Sequence, residues 1–341
     1  MNRKSKPTIK DIAEVAGVSP MTVSRTLNNK GGASDATRER ILQIAEEVGY
    51  VANPMARGLK GASNTIGIVI ADITRPFAGE MLYRLSLAAD HFNYGLMLYA
   101  QGDKEHTERV QHYASLLVNG INDGVILDPM VDYNLFLHHL KEAGIPYVLL
   151  DYHEDKTEPF VTATNRRGMA EGTRHLLALG HKRIGFIRGP ENNAAANERL
   201  QGYCDALAEV GIPIDQELIY EGDYSQIAGF RSGRKLLSMD PIPTAVIASN
   251  DGMAFGVMEA IREKGLKIGR DISLVGFDDL PMAAQVDPSL TTIRQPLPEM
   301  TLEAMELLIT LIEKRKPARL QRELPTELII RKSTGRPRAE T

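Results

Sequence analysis

From Thr65 to Asp279 short apolar runs alternate with longer stretches of helical periodicity, and this rhythm restricts the fold more than any other feature of the chain. The runs are TIGIVIAD (65–72), YGLMLYAQ (94–101), DGVILDP (123–129), IPYVLLD (145–151), RIGFIRG (183–189), AVIASND (245–251) and ISLVGFDD (272–279). Between and beyond them the spacing predicts helices at 76–92, 104–119, 132–143, 166–180, 193–210, 225–239 and 251–264. Strands this apolar are buried on both faces, and strands alternating with helices imply parallel sheets with right-handed crossovers. At 341 residues the chain exceeds what one hydrophobic core usually serves. The expected fold of this part is therefore α/β, with two doubly wound lobes and the chain crossing near Thr164 and again near Thr292. No sequence repeat relates the two halves.

Ahead of this core, Thr8 to Tyr50 reads as three short helices. Ile9, Ile12, Ala13, Val15 and Ala16 recur at helical spacing and stop at Gly17. Ser19 is placed to cap a second helix, with Pro20 at its first position, where a missing N–H costs nothing. Val23 and Leu27 form its buried stripe, which leaves Met21, Thr22, Arg25 and Asn29 elsewhere on its surface. A third helix from Ser34 to Val48 directs Ile41, Leu42, Ile44, Ala45 and Val48 inward and ends at Gly49. The stretch from Asn53 to Gly61 has only marginal helicity, and a helix so short needs a partner to be ordered.

Charge divides along the same line. Residues 1–61 carry ten Lys and Arg against six Asp and Glu, while the remaining residues carry thirty against thirty-eight. A basic head on an acidic body suits orientation by a nucleic-acid backbone. No apolar run serves as a signal-peptide core or a membrane span, so the expected location is cytoplasmic, with no membrane partner. The single cysteine, Cys204, makes neither an internal disulfide nor a thiolate metal cluster, and reads as an inert thiol in a helix.

In open parallel sheets, ligands bind beyond the carboxyl ends of the strands. Here those ends carry Asp72, Asp128, Asp151, Asp278 with Asp279, and Asn250 with Asp251. Each alone could merely cap the next helix; together they favour a polar cleft. Phe77 could offer a ring face, and Arg199 is either a surface ion-pair partner or a fork donor to a ligand. Walker, GxGxxG, HExxH, GxSxG and Cys/His metal patterns are missing from the sequence, so no catalytic or metal-ligating residue and no cofactor is assigned. His138, His139 and His181 are expected to face solvent.

Two segments, TIKDIAEVAGVSPMTVSRTLN and TRERILQIAEEVGYVANPMARGL, resemble the DNA-binding head of the lactose/galactose repressor (LacI/GalR) family. The resemblance continues through GHKRIGFIRGP, ERLQGY, ASNDGMAFGVMEAI, ISLVGFDD, SLTTIRQP and ELIIRKSTGRP. It implies an all-α helix-turn-helix head over 1–51, a hinge helix at 52–61 and a periplasmic-binding-protein-like core over 62–338. Within that core the first lobe would comprise about 62–163 and 293–322, and the second about 164–292 and 323–338. By position in the family pattern, Pro20, Met21 and Arg25 would meet base edges of double-stranded DNA, with Thr8, Ser19, Thr22, Ser24 and Asn28 completing the interface. Arg25 can pair with guanine, whereas Pro20 and Met21 offer apolar contact. Asn53, Ala56 and Leu59 would enter the minor groove, where paired leucines of a homodimer kink a pseudo-palindromic operator.

For a small-molecule effector the resemblance implies Asp72, Phe77, Asp151, Tyr152, Arg199, Tyr224, Asn250 and Asp278, a set suited to a sugar first and a purine or other small metabolite second. Arg75 stands where the family often has Asn before the Pro, and Thr164 where an acid is frequent. The expected activity is that of a transcriptional repressor, not an enzyme, whose lobes reorient on effector binding and order or melt the hinge. A transporter's solute-binding protein and a sugar-processing enzyme on the same core are the rival readings; neither accounts for the basic head. The tail after Ile330 lacks a leucine heptad of the kind that builds tetramers.

Overall fold

The computed structural model describes residues 7–27, 31–50, 63–101, 107–128, 130, 133–151 and 157–338. They fall into two compact units that meet between Ser63 and Asn64.

The first unit contains α1 (Ile9–Ala16), α2 (Pro20–Leu27) and α3 (Asp35–Glu47). Thr8 and Asp11 form a reciprocal capping box at the start of α1, and Gly17, at φ 68°, ends it in the left-handed conformation that glycine adopts without strain. Ser19 Oγ accepts from the Thr22 amide at 3.1 Å, which fixes the start of α2 as expected. Ile12, Ala13, Ala16, Val23, Ile41, Ile44 and Ala45 make the core of the three helices. Leu42 and Val48, expected inside, are 45% and 38% exposed, and Val15 is 57% exposed. The reason is angular: Leu42 lies one residue, about 100° of rotation, past the buried Ile41, beyond the narrow stripe that so small a bundle can cover.

The second unit holds two six-stranded sheets. In the first, β1 (Thr65–Ile70), β2 (Gly95–Ala100), β3 (Gly124–Leu127), β4 (Tyr147–Leu150) and β5 (Phe160–Ala163) stand in the order 2-1-3-4-5, all parallel. Three helices belong to this stretch: α4 (Pro76–His91), α5 (Thr107–Leu117) and α6 (Tyr133–Ala143). In the second sheet β6 (Ile184–Arg188), β7 (Ile219–Glu221), β8 (Ala245–Ala248), β9 (Ser273–Asp278) and β10 (Thr291–Arg294) repeat that order as 7-6-8-9-10. Here the helices are α7 (Asn165–Leu179), α8 (Ala194–Glu209), α9 (Gln226–Leu237) and α10 (Asp251–Glu263). The halves thus share a topology with no detectable sequence repeat. β1 and β3, and β9 in the other lobe, are buried almost throughout, as parallel strands covered on both faces must be.

The chain passes three times between the lobes. After β5 it leaves at Thr164; after β10 it returns into α11 (Leu297–Ile312), which packs on the first sheet; and β11 (Gln321–Leu324) pairs with β5 before β12 (Glu327–Ile329) joins β10 antiparallel. β10 stays in the second sheet to Arg294 and β11 in the first to Leu324. The later two passages therefore lie two residues beyond the boundaries expected after 292 and 322. Threonines fasten the first passage to the last: Thr164 Oγ1 and Thr326 Oγ1 are 2.9 Å apart, and the Thr326 amide donates to Thr164 Oγ1 at 2.9 Å.

His181 corrects another expectation. It is 2% exposed, with Nδ1 2.9 Å from Thr244 Oγ1 and Nε2 3.0 Å from Ser273 Oγ and 2.8 Å from the Gly335 carbonyl. The Gly-His-Lys-Arg turn folds beneath the C-terminal segment, and burial holds the imidazole below its ordinary pKa. His138 does face solvent.

Candidate functional site

On the three-helix unit, α2 presents an open face. Ser19, Pro20, Met21 and Arg25 are exposed, Met21 by 70%, while Val23 and Thr26 point into the bundle. A 70%-exposed methionine and an exposed arginine on a helix with no acidic residue in its first turn make an apolar and cationic surface. Thr22 and Ser24 are half-buried. Thr8 and Ser19 are exposed, and both serve as N-caps, so their hydroxyls already bond to backbone. Asn28 and the hinge residues Asn53, Ala56 and Leu59 lie outside the described residues, as does Tyr152.

In the second unit a cleft opens between the lobes. Its wall is built almost wholly from the carboxyl ends of strands. Arg75, Pro76, Phe77 and Ala78 follow β1; Asp128 and Met130 follow β3; Asp151 follows β4. From the other lobe come Asn193 after β6, Tyr224 after β7, Asn250 and Gly252 after β8, Asp278 and Leu280 at the end of β9, and Gln295 after β10. This is where doubly wound sheets bind ligands, because the loops at a reversal of strand order separate and leave a crevice.

Of the eight residues expected at an effector site, six line this cleft: Phe77, Asp151, Arg199, Tyr224, Asn250 and Asp278. Asp72 does not. It is drawn into its own loop, accepting from the Thr74 amide at 2.9 Å and hydroxyl at 2.7 Å, with Arg75 Nε 3.5 Å away, and these bonds lower its carboxyl pKa. Four lining polar residues stood outside the expected set: Arg75, Asp128, Asn193 and Gln295. Asp128 carried a sequence signal, as an acid ending a strand; Gln295 carried none, because the strand before it, TTIR, is mostly polar and does not stand out as an apolar run.

Arg199 is the central fixed charge. It is 3% exposed, not a surface residue, and its guanidinium carbon lies 3.9 Å from the centroid of the Phe277 ring. Nε donates to Asn165 Oδ1 and Nη1 to the Ser249 carbonyl, both at 2.8 Å, and Nη2 reaches Asp151 Oδ2 at 3.2 Å across the lobe boundary. Asp151 also accepts from Thr162 at 3.0 Å and Asn165 at 2.8 Å. A buried ion pair with all its bonds made is costly to break, so it ties the lobes at one point and orients Arg199. Opposite, Tyr224 donates to Asn193 Oδ1 at 3.1 Å. Its ring fits only because residue 189 is glycine: a Cβ there would lie 2.4 Å from the ring.

Asp278 is the residue under most strain. It sits at φ 122°, a conformation L side chains rarely adopt, with Asp151, Tyr224 and Asp279 also at positive φ. One oxygen accepts from Gln295 at 2.8 Å; the other is buried and meets no hydrogen-bond partner among the described residues. Burial pushes its carboxyl up to about 7, opposed by Arg199 at 4.0 Å. Burial likewise raises Asp128 to about 6, although the amides of Met130 and Ala71 donate to it. Strain and unsatisfied polar atoms concentrate where a ligand would relieve them.

Comparison with known proteins agrees with both units. Residues 8–53 match the family described as bacterial regulatory proteins, lacI family, and residues 173–334 match a periplasmic binding protein-like domain. The chain is 34% identical over 335 residues to the transcriptional repressor CytR of Escherichia coli K12, covering 97% of each. It belongs to the LacI family. Among solved structures, the Lac repressor dimer bound to operator and the anti-inducer ONPF superposes with a TM-score of 0.85 at 29% identity, covering 97% of this chain and 100% of that one. A CelR–cellobiose complex gives 0.75 at 29%, covering 96% and 99%. As a member of the LacI family the chain is a DNA-binding transcriptional regulator, not an enzyme. Among the described residues no cluster could hold a metal ion, and no helix is long and apolar enough to cross a membrane.

Proposed function

We propose that this LacI-family member is a repressor that binds a pseudo-palindromic operator as a homodimer and changes its operator affinity when a sugar-like effector occupies the inter-lobe cleft. The observation that carries the reading is the cleft itself: fixed donors and acceptors, with two unsatisfied acceptor oxygens, at a boundary that the chain crosses three times. Relatives in complex with an operator and ONPF, and with cellobiose, support it by analogy.

In this reading Arg25 reads a guanine, and Pro20 and Met21 meet thymine methyls in the major groove. Thr8, Ser19, Thr22, Ser24 and Asn28 lie along the phosphates, and Asn53, Ala56 and Leu59 form the hinge that bends the central step. Residues 1–51, 52–61 and 62–338 are head, hinge and core. In the cleft Phe77 and Tyr224 supply ring faces, Arg199 and Asn250 fixed polarity, and Asp151 and Asp278 acceptors for hydroxyls; Asp72 acts only through the Arg75 loop, and Tyr152 completes the set. Dimerisation uses the first lobe, where Tyr83 and Leu87, one turn apart on α4, and Leu98 on the edge strand β2 are 53%, 47% and 45% exposed. The site of action is the cytoplasm, where the DNA is.

Effector binding that favours one lobe arrangement shifts operator affinity by about 5- to 150-fold for a coupling of roughly 1–3 kcal/mol. A titration of operator DNA against the full chain, with and without each of a panel of sugars, tests this. The expected result is a shift by at least one sugar that also binds the protein directly; a sugar that binds the cleft and leaves operator affinity unchanged would sink the coupling.

A further inference from the structure

Three side chains in the cleft lining have buried polar atoms that meet no hydrogen-bond partner among the described residues: Asp278 through Oδ2, Gln295 through Oε1, and Arg75 through Nε and Nη1. They differ in kind. The free oxygens of Asp278 and Gln295, residues 7% and 3% exposed at the carboxyl ends of β9 and β10, are acceptor positions when the carboxyl is ionised, so they call for donors from whatever fills the cleft. Arg75, in the loop after β1, can only donate.

Arg75 does not stand alone on its wall. It is the residue immediately before α4, and no side chain caps that helix. Pro76 has no N–H to offer, and Phe77 and Ala78, next in the first turn, line the cleft beside Arg75. The positive end of a sixteen-residue helix and a guanidinium that is ion-paired with Asp72 but has Nε and Nη1 without a hydrogen-bond acceptor among the described residues therefore share one surface. The acids nearby are already engaged. Asp72 gives one oxygen to Thr74 and holds the other 3.5 Å from Arg75 Nε. Asp128 accepts from the Ala71 and Met130 amides, and Asp223 from the Ser225 amide. Arg199, the cleft's other guanidinium, is held by Asp151 with Asp278 beyond it. Among the described residues Arg75 Nη1 has no acceptor.

We propose that the effector is an anionic sugar: a polyhydroxylated body whose hydroxyls donate to Asp278 and Gln295, and a carboxylate or phosphate held by Arg75 and the amino end of α4. This rests on the effector-cleft reading above and narrows it. A ligand with donors at one end and an anionic acceptor at the other satisfies all three side chains and bridges the two lobes; a neutral sugar leaves the guanidinium to a hydroxyl, which is the weaker acceptor.

Calorimetric titration of the full chain with D-glucuronate and ribose 5-phosphate, each beside its neutral counterpart glucose or ribose, tests the proposal. One anion is expected to bind more tightly than its counterpart. Arg75→Ala should weaken that anion roughly 10- to 100-fold, the range for a hydrogen bond to a charged group, and weaken the neutral sugar much less. Arg75→Lys should retain part of the advantage. Glucuronate alone would identify a carboxylate effector and ribose 5-phosphate alone a phosphate. The proposal is overturned if the neutral sugars bind as well as the anions, if Arg75→Ala weakens both alike, or if no anion binds. Operator binding by the same preparations separates the two levels: its absence contradicts the regulator reading, whereas operator binding together with recognition of neutral sugars alone contradicts only the anionic effector.

Discussion

Asp278 faces opposed demands. Its carboxyl is buried and half-satisfied, which raises it to about 7, yet as an ionised acceptor it is what a hydroxylated ligand requires. The consequence for stability follows from linkage. A carboxyl near 3.8 in the unfolded chain and near 7 when folded binds more protons in the native state between those values, so the native state loses stability as pH rises through that window. Asp278→Asn removes the titration. We expect the variant to melt above the native protein at about pH 8 and to lose that margin towards about pH 4, while its affinity for the effector falls by about 1.5–3 kcal/mol. Thermal melts across this range, with one calorimetric titration, check both halves. A variant that melts lower at every pH would mean that the carboxylate is structural.

Elements carry a different constraint, close helix packing. α9 and α10 approach so nearly that a Cβ on Gly256 would lie 2.0 Å from the Gln226 carbonyl oxygen, and one on Gly229 2.1 Å from that of Met253. The same holds for α7 and α8, where Gly202 sits against Arg166. Alanine favours a free helix by about 1 kcal/mol over glycine, but the clash is with backbone, and overpacking typically costs about 1–3 kcal/mol. Gly256→Ala should therefore lower the melting temperature of the core; a rise would show that the helices part without penalty. In the head, Thr8→Ala removes half of a capping box and should destabilise α1 by about 0.5–2 kcal/mol, measurable as faster proteolysis of the first sixty or so residues.

Seven strands were legible because each sits in a mostly apolar run flanked by helical periodicity, even where, as in β3, β4 and β8, the strand itself has only four residues. Five strands were not: β5, β7, β10, β11 and β12 have three or four residues each, and the last two are polar sheet edges, QREL and ELI, held in place by partners distant in sequence. Six of the eight residues expected from the resemblance line the cleft; Asp151, Asn250 and Asp278 also stood at strand ends, whereas Tyr224 had no signal apart from the resemblance. Gln295 and Arg75 acquire meaning only from what surrounds them, and the buried His181 from a tail over 150 residues away that the local sequence does not mention.

At the scale of the whole molecule, the account makes the head's grip on DNA depend on two copies and on the state of the cleft. Leu87→Asp places a charge on the exposed stripe of α4 and should yield monomers by sedimentation, with operator affinity reduced because two half-sites are no longer engaged together. An unchanged dimer would move the interface elsewhere. The most direct test of the central claim is selection from random duplexes, followed by salt-titrated binding of the enriched site to native protein and to Arg25→Ala. The expected result is a palindromic site, a steep salt dependence, and a loss of about 1–3 kcal/mol in the variant, together with relaxed preference at one base pair per half-site. Enrichment of no site, or equal binding by both proteins, would contradict it.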